Sequence, residues 1–467
     1  MTDLAVAPIQ RARPTGRTFF GEPIGLAYLS FTEAWERFSY YGMTALLVLY
    51  MSQALFMPGR IEHIAGFASL RHALESVFGP LTTLALASQV FGLYSGFVYF
   101  TPVFGGLIAD RLTGRKVAVA TGAVLMSAGH IAMAFDASFL LALLLLITGC
   151  GLLKGNISTQ VGALYAEDDA NGRTRAFSIF SMAINVGAVT GPILCGLLAQ
   201  RYGWHAGFGF AGVLMLIGLA TYLAGYHTLV EPPLNAMRAQ AHAIESTTNR
   251  RIVLALIAVM TLTIFDSVAY LQLFNIGFVW ISQHVKLDPF GFEIPVAWFS
   301  SIGALSSIVF VPILIALWKW QDAHGGEPRE MMKISTGAFM ACAANLLLFF
   351  ASTIGDRVSV IYPILYEVIL GVAFLYYWPT LLALVSRVAP PGLKATLMGV
   401  VFLTLFVSNI LLGWLGGMYE HLGPSTFWAI EAATGAAGGV LALVLNKPLT
   451  RQLERPATPS LPQSEPA

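Results

Sequence analysis

The stretch Glu33-Ala-Trp-Glu-Arg-Phe-Ser-Tyr-Tyr-Gly42 lies inside an otherwise apolar run that is long enough to cross a bilayer. It places two carboxylates and a guanidinium at membrane depth, where each charge costs about 3 kcal/mol on insertion scales. Glu33, Glu36 and Arg37 stand at positions i, i+3 and i+4, so they share one helical stripe and Glu33 can reach Arg37 within one turn. Charges in such places usually face a protein interior or an aqueous path. We therefore expect a buried, titratable cluster; the simpler alternative is a structural ion pair that locks two helices together.

The composition indicates a polytopic membrane protein. Of 467 residues, 56% are hydrophobic and 11% are charged, with a mean hydropathy of +0.71, whereas a soluble domain is about 25% charged. The three cysteines fall in apolar segments without the spacing of a disulfide framework or a metal site. No catalytic triad or phosphate-binding loop is apparent. We expect neither an enzyme, nor a metal or other cofactor, nor a nucleic-acid partner.

Apolar runs that can cross about 30 Å of hydrocarbon predict an all-α membrane protein with about twelve transmembrane helices. The predicted spans are residues 25–52, 86–109, 117–135, 138–163, 175–199, 205–227, 252–282, 294–318, 331–352, 358–386, 396–417 and 425–445. Their grouping predicts five regions: a cytosolic N-terminal segment 1–24, a six-helix bundle 25–227, a cytosolic linker 228–251, a second six-helix bundle 252–445 and a disordered cytosolic tail 446–467.

The basic residues predict the orientation. If both termini are cytoplasmic, most of the 26 lysines and arginines fall on the inner face, as the positive-inside rule requires. The first 17 residues lack an apolar segment followed by a cleavage site, so we expect no signal peptide. The protein is predicted to be a multi-pass protein of the inner (plasma) membrane. Two halves joined by a polar linker are typical of a transporter that rocks one bundle against the other around a midplane site.

The segment Gly106-Leu-Ile-Ala-Asp-Arg-Leu-Thr-Gly-Arg-Lys116 resembles the loop signature of the major facilitator superfamily. Asp110 can meet a helix N-terminus or a basic partner, and Gly114 permits a tight turn. An ordinary glycine-containing turn flanked by positive charge is the alternative. The residues predicted to act in conformational change are Gly106, Asp110, Arg111, Gly114 and Arg115.

The stretch 33–42 also resembles the E-x-x-E-R-F-x-Y-Y-G signature of the proton-dependent oligopeptide transporter (POT/PTR) family. Two later segments resemble that family's fourth and fifth helices: residues 151–158, with Lys154, and residues 177–187, with Asn185. The resemblance implies a major facilitator fold and a symporter that imports di- and tripeptides by alternating access. A proton gradient, rather than a cofactor, would supply the driving force. The expected partners are the peptide, protons and the lipid bilayer, and the protein is expected to be a monomer.

The resemblance implies that Glu33, Glu36, Arg37 and Lys154 take part in proton coupling, with Asp266 as the seventh-helix acid. A lysine at membrane depth needs a carboxylate partner. We therefore expect Lys154 and Asp266 to come within salt-bridge reach in at least one state, directly or through a first-helix carboxylate. Of the other intramembrane acids in the second half, Glu431 is interpreted as a packing residue.

An adaptable peptide site needs aromatic walls with a few polar groups. The residues predicted to line it are Tyr40, Tyr41, Tyr99, Lys154, Asn185, Trp280, Glu367, Tyr376, Tyr377 and Trp378. For Trp280 and residues 376–378, core packing or a place in the aromatic belt of the bilayer is an equal alternative.

Four departures from the family pattern put the peptide in question. Thr44 stands where the family has a second arginine, and Leu375 where it has a glutamate; Gly303 and Val401 replace an asparagine and a tryptophan. Glu367 lies about 12 Å along the helix from Leu375, so it could substitute only if the backbone were displaced or broken. Two alternatives follow: a proton-coupled carrier of a non-peptide solute, such as an organic anion or glycoside, or a membrane sensor that does not transport.

Overall fold

The computed structural model describes residues 18–166, 169–231, 250–289, 291–355, 357–390 and 393–453, and nearly all of them are helical. The exceptions include two short antiparallel strands, β1 (Thr18–Phe19) and β2 (Glu22–Pro23). Most of the predicted linker and of the predicted tail lies outside the described residues, as do residues 1–17 of the N-terminal segment.

Fifteen α-helices follow in chain order within the described part of the chain. They are α1 (Ile24–Tyr50), α2 (Phe67–Phe78), α3 (Thr83–Ile108), α4 (Arg115–Ala132), α5 (Phe139–Ala163), α6 (Ala170–Tyr202), α7 (Trp204–Gly225), α8 (Arg250–Leu271), α9 (Ile276–His284), α10 (Trp298–Gly325), α11 (Glu330–Ile354), α12 (Ile361–Val388), α13 (Lys394–Gly416), α14 (Tyr419–Leu422) and α15 (Pro424–Leu453).

Ten of the described helices are long and apolar enough to cross a membrane: α3, α5–α8, α10–α13 and α15. The prediction of a helical protein with many spans is thereby confirmed. Helix α1, with 27 residues, is within the range of length of these ten, but it contains the charged residues Glu33, Glu36 and Arg37, which lower its mean hydropathy.

The structure differs from the predicted helices in three places. The predicted span 252–282 is two helices, because a 3₁₀ turn at Gln272–Phe274 separates α8 from α9. The amphipathic helix α2, between the first two predicted spans, was not predicted. Helix α15 continues to Leu453, so residues 446–453 are helical and do not belong to a disordered tail.

Helices α1–α7 form the N-terminal half, in which α1 packs against α6 and α7, and α5 against α3 and α4. Helices α8–α15 form the C-terminal half, in which α11 packs against α12 and α15. The halves meet where α3 packs against α13 and where α6 packs against α10.

Hydrogen bonds join the halves at the end of the molecule where α1 ends and α3 begins, which we call the closed end. Ser88 Oγ on α3 donates to the carbonyl of Gly413 on α13 over 3.1 Å. Ser301 Oγ on α10 donates to the carbonyl of Val189 on α6 over 2.8 Å. These bonds fix the two interface crossings at the same end.

Gly187, in the segment that resembles the family's fifth helix, positions α6 against the charged stretch of α1. A Cβ atom at Gly187 would lie 2.7 Å from the backbone nitrogen of Phe38 and 2.8 Å from Cβ of Arg37. Only a glycine permits this close approach.

Candidate functional site

A cavity of about 510 Å³ lies between the two halves. Its size is within the usual range of about 300–1,000 Å³ for small-molecule sites. The N-terminal half contributes Glu33, Arg37, Tyr41, Tyr99, Lys154 and Asn185, and the C-terminal half contributes Tyr270, Gly303, Glu367, Phe374, Tyr377 and Trp378. The structure therefore brings most of the predicted lining residues into one chamber.

A cavity of about 620 Å³ lies elsewhere, at the ends of α11, α12 and α15. It is larger, but its wall holds Arg387, which pairs with Glu330, and it touches neither α1 nor α5. The chamber between the halves is the better candidate, because it contains the buried charge cluster and residues of both halves.

The charge cluster on α1 is buried and internally paired. Arg37 Nε lies 3.1 Å from Glu33 Oε1, and Arg37 also pairs with Glu36. All three residues are at most 4% exposed. The predicted reach of Glu33 to Arg37 within one turn is confirmed, and Glu33 and Arg37 face the cavity. Their part in proton binding stays a prediction.

Lys154 enters the cavity wall from α5. Its Nζ atom lies 4.4 Å from the centroid of the Tyr99 ring and 5.9 Å from that of Tyr40, at which distances a ring face attracts a cation. Among the described residues, no ion pair joins Lys154 to a carboxylate. The bridge to Asp266 stays a prediction for another conformation.

Asp266 does not line the cavity. It is 1% exposed and faces α15, where a Cβ atom at Gly438 would lie 2.7 Å from Asp266 Oδ1. Neither of its carboxylate oxygens has a hydrogen-bond partner among the described residues. Asp266 is therefore separated here from the cavity-facing cluster with which the sequence grouped it.

Glu367 on α12 supplies a carboxylate to the opposite wall of the cavity. The side chain is fully buried, and neither of its oxygens has a hydrogen-bond partner in the described part of the chain. Its Oε2 atom would lie 2.7 Å from a Cβ atom at Gly303 on α10. The departure at Gly303 thus creates the space that Glu367 occupies.

The position of Leu375 corrects the sequence analysis. Leu375 packs with Leu314 and Val372 away from the cavity, whereas its neighbour Phe374 lines it. Glu367 reaches the cavity without a displaced backbone, because α12 presents residues 367, 371, 374 and 378 to it at helical spacing; its substitution for the family's glutamate stays a prediction. This spacing was the available signal for Phe374, which the sequence analysis missed.

Three predicted lining residues lie outside the cavity: Trp280, Tyr376 and Tyr40. Trp280 is fully buried and donates its Nε1 hydrogen to Ser352 Oγ over 2.8 Å, so the core-packing alternative is correct. Tyr376 packs edge-on against Trp318 of α10, with ring centroids 5.7 Å apart. The rings of Trp280 and Tyr376 serve helix packing.

Of the remaining residues that the sequence singled out, Tyr40 lies beside the cavity and Val401 lies away from it. Tyr40 lines a small cavity of about 30 Å³ next to the main one, together with Thr44. Val401 is fully buried in the packing core of the C-terminal half. Tyr270, which was not predicted, stacks on Phe374 in the cavity wall, with ring centroids 5.4 Å apart.

The loop between α3 and α4 begins with a π-helical turn, Ala109–Thr113. Arg115 Nη2 lies 3.1 Å from Asp110 Oδ1, so the predicted basic partner of Asp110 is confirmed. Gly114 has a φ of +81°, which confirms the predicted turn. A Cβ atom at Gly106 would meet nothing within 4 Å, so packing does not require that glycine.

Glu231, which the sequence analysis did not single out, caps the N-terminus of α4. Its Oε1 atom accepts hydrogen bonds from the backbone nitrogens of Arg115 and of Lys116, the latter over 3.1 Å. A carboxylate at a helix N-terminus is favoured by the helix dipole. The end of the N-terminal half is thereby attached to the loop signature.

Many membrane-spanning helices around a charged chamber between two halves define a multi-span membrane transporter. The sequence model of the POT family matches residues 116–244 and 233–424. The chain belongs to the POT family. This membership places it among transporters rather than enzymes.

Relatives and solved structures agree with the family. The chain is 30% identical to an uncharacterized transporter, YclF, of Bacillus subtilis (strain 168), over 91% of this chain and 94% of the relative. It is 27% identical to the di-/tripeptide transporter of Lactococcus lactis subsp. cremoris, over 95% of this chain and 99% of that protein. The crystal structure of a POT peptide transporter in complex with sulfate superposes with a TM-score of 0.80, at 25% identity, over 93% of this chain and 97% of that one.

Proposed function

We propose that this protein is a proton-coupled symporter that imports di- and tripeptides by alternating access. The observation that carries the proposal is the polarity of the cavity, which has the cations Arg37 and Lys154 on one wall and the carboxylate of Glu367 on the other. A short peptide carries a carboxylate at one end and an ammonium group at the other. Charge-assisted hydrogen bonds to both ends, each worth roughly 1.5–3 kcal/mol, would hold it between the halves.

We further propose twelve transmembrane helices in two six-helix bundles, with α1 and α4 added to the ten candidate spans. The C-terminal bundle counts α8 and α9 as one interrupted span. The distribution of basic residues supports cytoplasmic termini in the inner membrane, so the closed end faces outward. This arrangement is the inward-facing state of a cycle in which the two bundles rock around the cavity.

The proposed coupling runs through α1. Glu33 and Glu36 share the guanidinium of Arg37. Protonation of either acid removes a charge that holds Arg37, so the guanidinium becomes free to bind a substrate carboxylate. Lys154, held by the ring of Tyr99 rather than by an acid, is the second available cation. The proton gradient supplies the energy, and the monomer needs no cofactor.

A second candidate is a non-peptide solute, such as an organic anion or glycoside. The stacked rings of Phe374 and Tyr270 occupy a stretch of wall without a charged group. Thr44 likewise provides a neutral side chain in place of the family's second arginine. A solute with one anionic group and an apolar or sugar face suits such a wall.

The test is uptake into proteoliposomes of the purified protein under an inwardly directed proton gradient. Labelled dialanine should accumulate, and an uncoupler should abolish the accumulation. Driven uptake of an organic anion that dipeptides do not compete would favour the second candidate. Ligand binding without any uptake would contradict transport and favour a sensor.

A further inference from the structure

A row of hydrogen-bonded, buried polar side chains, which we call the polar chain, connects α15 to α3 across the boundary between the halves. Glu431 Oε1 accepts a hydrogen bond from Gln272 Nε2 over 2.9 Å. Asn275 Nδ2 lies 3.4 Å from Gln272 Oε1 and donates to Ser88 Oγ over 2.7 Å. All four side chains are fully buried. Buried polar networks are energetically demanding, because each unmade bond is costly there.

The polar chain passes through the interruption between α8 and α9. Gln272 begins the 3₁₀ turn, and Asn275 follows it with φ −113° and ψ −100°. Gln272 Nε2 also donates to the carbonyl of Leu412 on α13 over 3.3 Å. Irregular backbone at membrane depth is tolerated where protein surrounds it, and interrupted helices are typical of the moving parts of transporters.

The Ser88 end of the polar chain lies in the contact between α3 and α13 at the closed end. A Cβ atom at Gly416 would lie 2.2 Å from Ser88 Oγ and 2.6 Å from Asn275 Nδ2. A Cβ atom at Gly92 would lie 2.5 Å from the carbonyl oxygen of Asn409. The helices therefore touch without spare space, and the polar chain ends at a contact that must separate when the closed end opens.

Glu431 is the titratable group at the other end of the polar chain. Its Oε2 atom has no hydrogen-bond partner among the described residues. Tyr366 of α12 packs against Trp428 on the same helix as Glu431, with ring centroids 5.8 Å apart, and its hydroxyl has no hydrogen-bond partner among the described residues. Cys342 of α11 and Asp266 of α8 contact α15 one and two turns further along the helix.

We propose that Glu431 is a second proton-responsive residue, which acts through Gln272 and Asn275 to set how firmly α3 is held at the closed end. An ionised carboxylate only accepts hydrogen bonds, so it keeps the Gln272 amide nitrogen towards itself and leaves Gln272 Oε1 free for Asn275. A neutral carboxyl group also donates. It can take Gln272 Oε1 as its acceptor, which withdraws that oxygen from Asn275 and weakens the hold on Ser88.

This inference rests on the proposed function, in that the proton gradient acts on the conformational cycle. Its test uses the substrate-free protein, so its outcome does not depend on which solute is carried. Spin labels are placed at Val77 and Gln283, which are exposed near the closed end on the two halves, in a background without the three cysteines. Pulsed electron paramagnetic resonance then measures the distance between the labels in nanodiscs as a function of pH.

In the wild-type protein, the distribution of distances between the labels should shift to longer distances as the pH falls, because the neutral carboxyl group weakens the hold on Ser88. Glu431→Gln should lose most of that shift. The matched control is Glu75→Gln, which removes from α2 a partly exposed carboxylate that pairs with Arg71, and it should keep the wild-type response. A wild-type response in Glu431→Gln, or a distance in the wild type that does not change with pH, would overturn the proposal.

Asn275→Ala provides an independent second variant, because it interrupts the polar chain and leaves Glu431 in place. It should also lose the pH response of the closed end. If Glu431 and Asn275 only stabilise packing, both variants would lower the melting temperature equally at every pH and leave the response unchanged, which contradicts the proposal. Failure of dialanine uptake in the wild type, with the pH response intact, would reject the proposed substrate and not the role of Glu431.

Discussion

The carboxylate of Glu367 occupies the space that a side chain at Gly303 would need. The two residues lie on facing helices, and a Cβ atom at Gly303 would come within 2.7 Å of Glu367 Oε2. Because both oxygens of Glu367 lack a partner in the described part of the chain, this carboxylate is available to a positively charged group in the cavity.

Gly303→Ala should therefore displace Glu367 and weaken peptide binding. The loss of one charge-assisted hydrogen bond corresponds to about a tenfold or greater increase in Kd, measured by isothermal calorimetry with dialanine. The matched control is Gly155→Ala, because Gly155 also lines the cavity but a Cβ atom there meets nothing within 4 Å. Equal affinities of the two variants would show that Glu367 does not bind the substrate.

Proton coupling should depend on the two acids that share Arg37. Glu33→Gln or Glu36→Gln keeps the shape of the side chain but removes its charge, so uptake driven by a pH gradient should be lost. Exchange of labelled for unlabelled dialanine across the membrane, which needs no gradient, should persist. Undiminished accumulation under the gradient in both variants would contradict the assignment.

Lys154 should be required for driven uptake, since among the described residues it is one of two cations that line the cavity. Lys154→Ala is expected to abolish accumulation in proteoliposomes. Tyr99→Phe keeps the ring face over which Nζ lies, so it should retain more uptake than Tyr99→Leu. Driven transport at the wild-type level in Lys154→Ala would refute the role of this lysine.

The spacing of residues predicted some parts of the site and not others. The i, i+4 relation of Glu33 and Arg37 is a property of one helix, so the sequence was sufficient for their contact. For Trp280 the sequence left cavity lining and core packing as equal alternatives, because the apolar run gives no sign that α8 and α9 are separate helices. Whether an aromatic ring faces a cavity or a neighbouring helix depends on how those helices pack.

The place of Glu367 in the cavity wall likewise depends on how helices pack. Its availability depends on Gly303, which lies 64 positions earlier along the chain and on another helix. The pattern of residues along one helix does not show which other helix that helix faces. The helical stripe that contains Glu367 and Phe374 was visible in the sequence, but the packing of α10 against α12 was needed to give it a direction.

The wall of the cavity at position 374, rather than 375, should accept a new charge. Phe374→Glu places a carboxylate in the cavity and should change dipeptide affinity, most strongly when combined with Thr44→Arg. Leu375→Glu is the matched control: it buries a charge beside Leu314 and Val372, so it should lower the melting temperature without creating binding. Tighter dipeptide binding in Leu375→Glu than in Phe374→Glu would contradict the observed face of α12.

The loop between α3 and α4 should depend on Gly114 and not on Gly106. Gly114→Ala forces a side chain into a backbone conformation, φ +81° and ψ 158°, that is essentially restricted to glycine, which costs about 1–3 kcal/mol. Its Cβ atom would also lie 2.9 Å from Glu231 Oε1, the oxygen that caps α4. The melting temperature of the purified protein should fall, and driven uptake should fall with it because the cap attaches this loop to the end of the N-terminal half. Gly106→Ala meets open space within a helix and should leave both quantities unchanged. Equal losses in the two variants would mean that the loop depends on something other than the turn at Gly114 and its contact with Glu231.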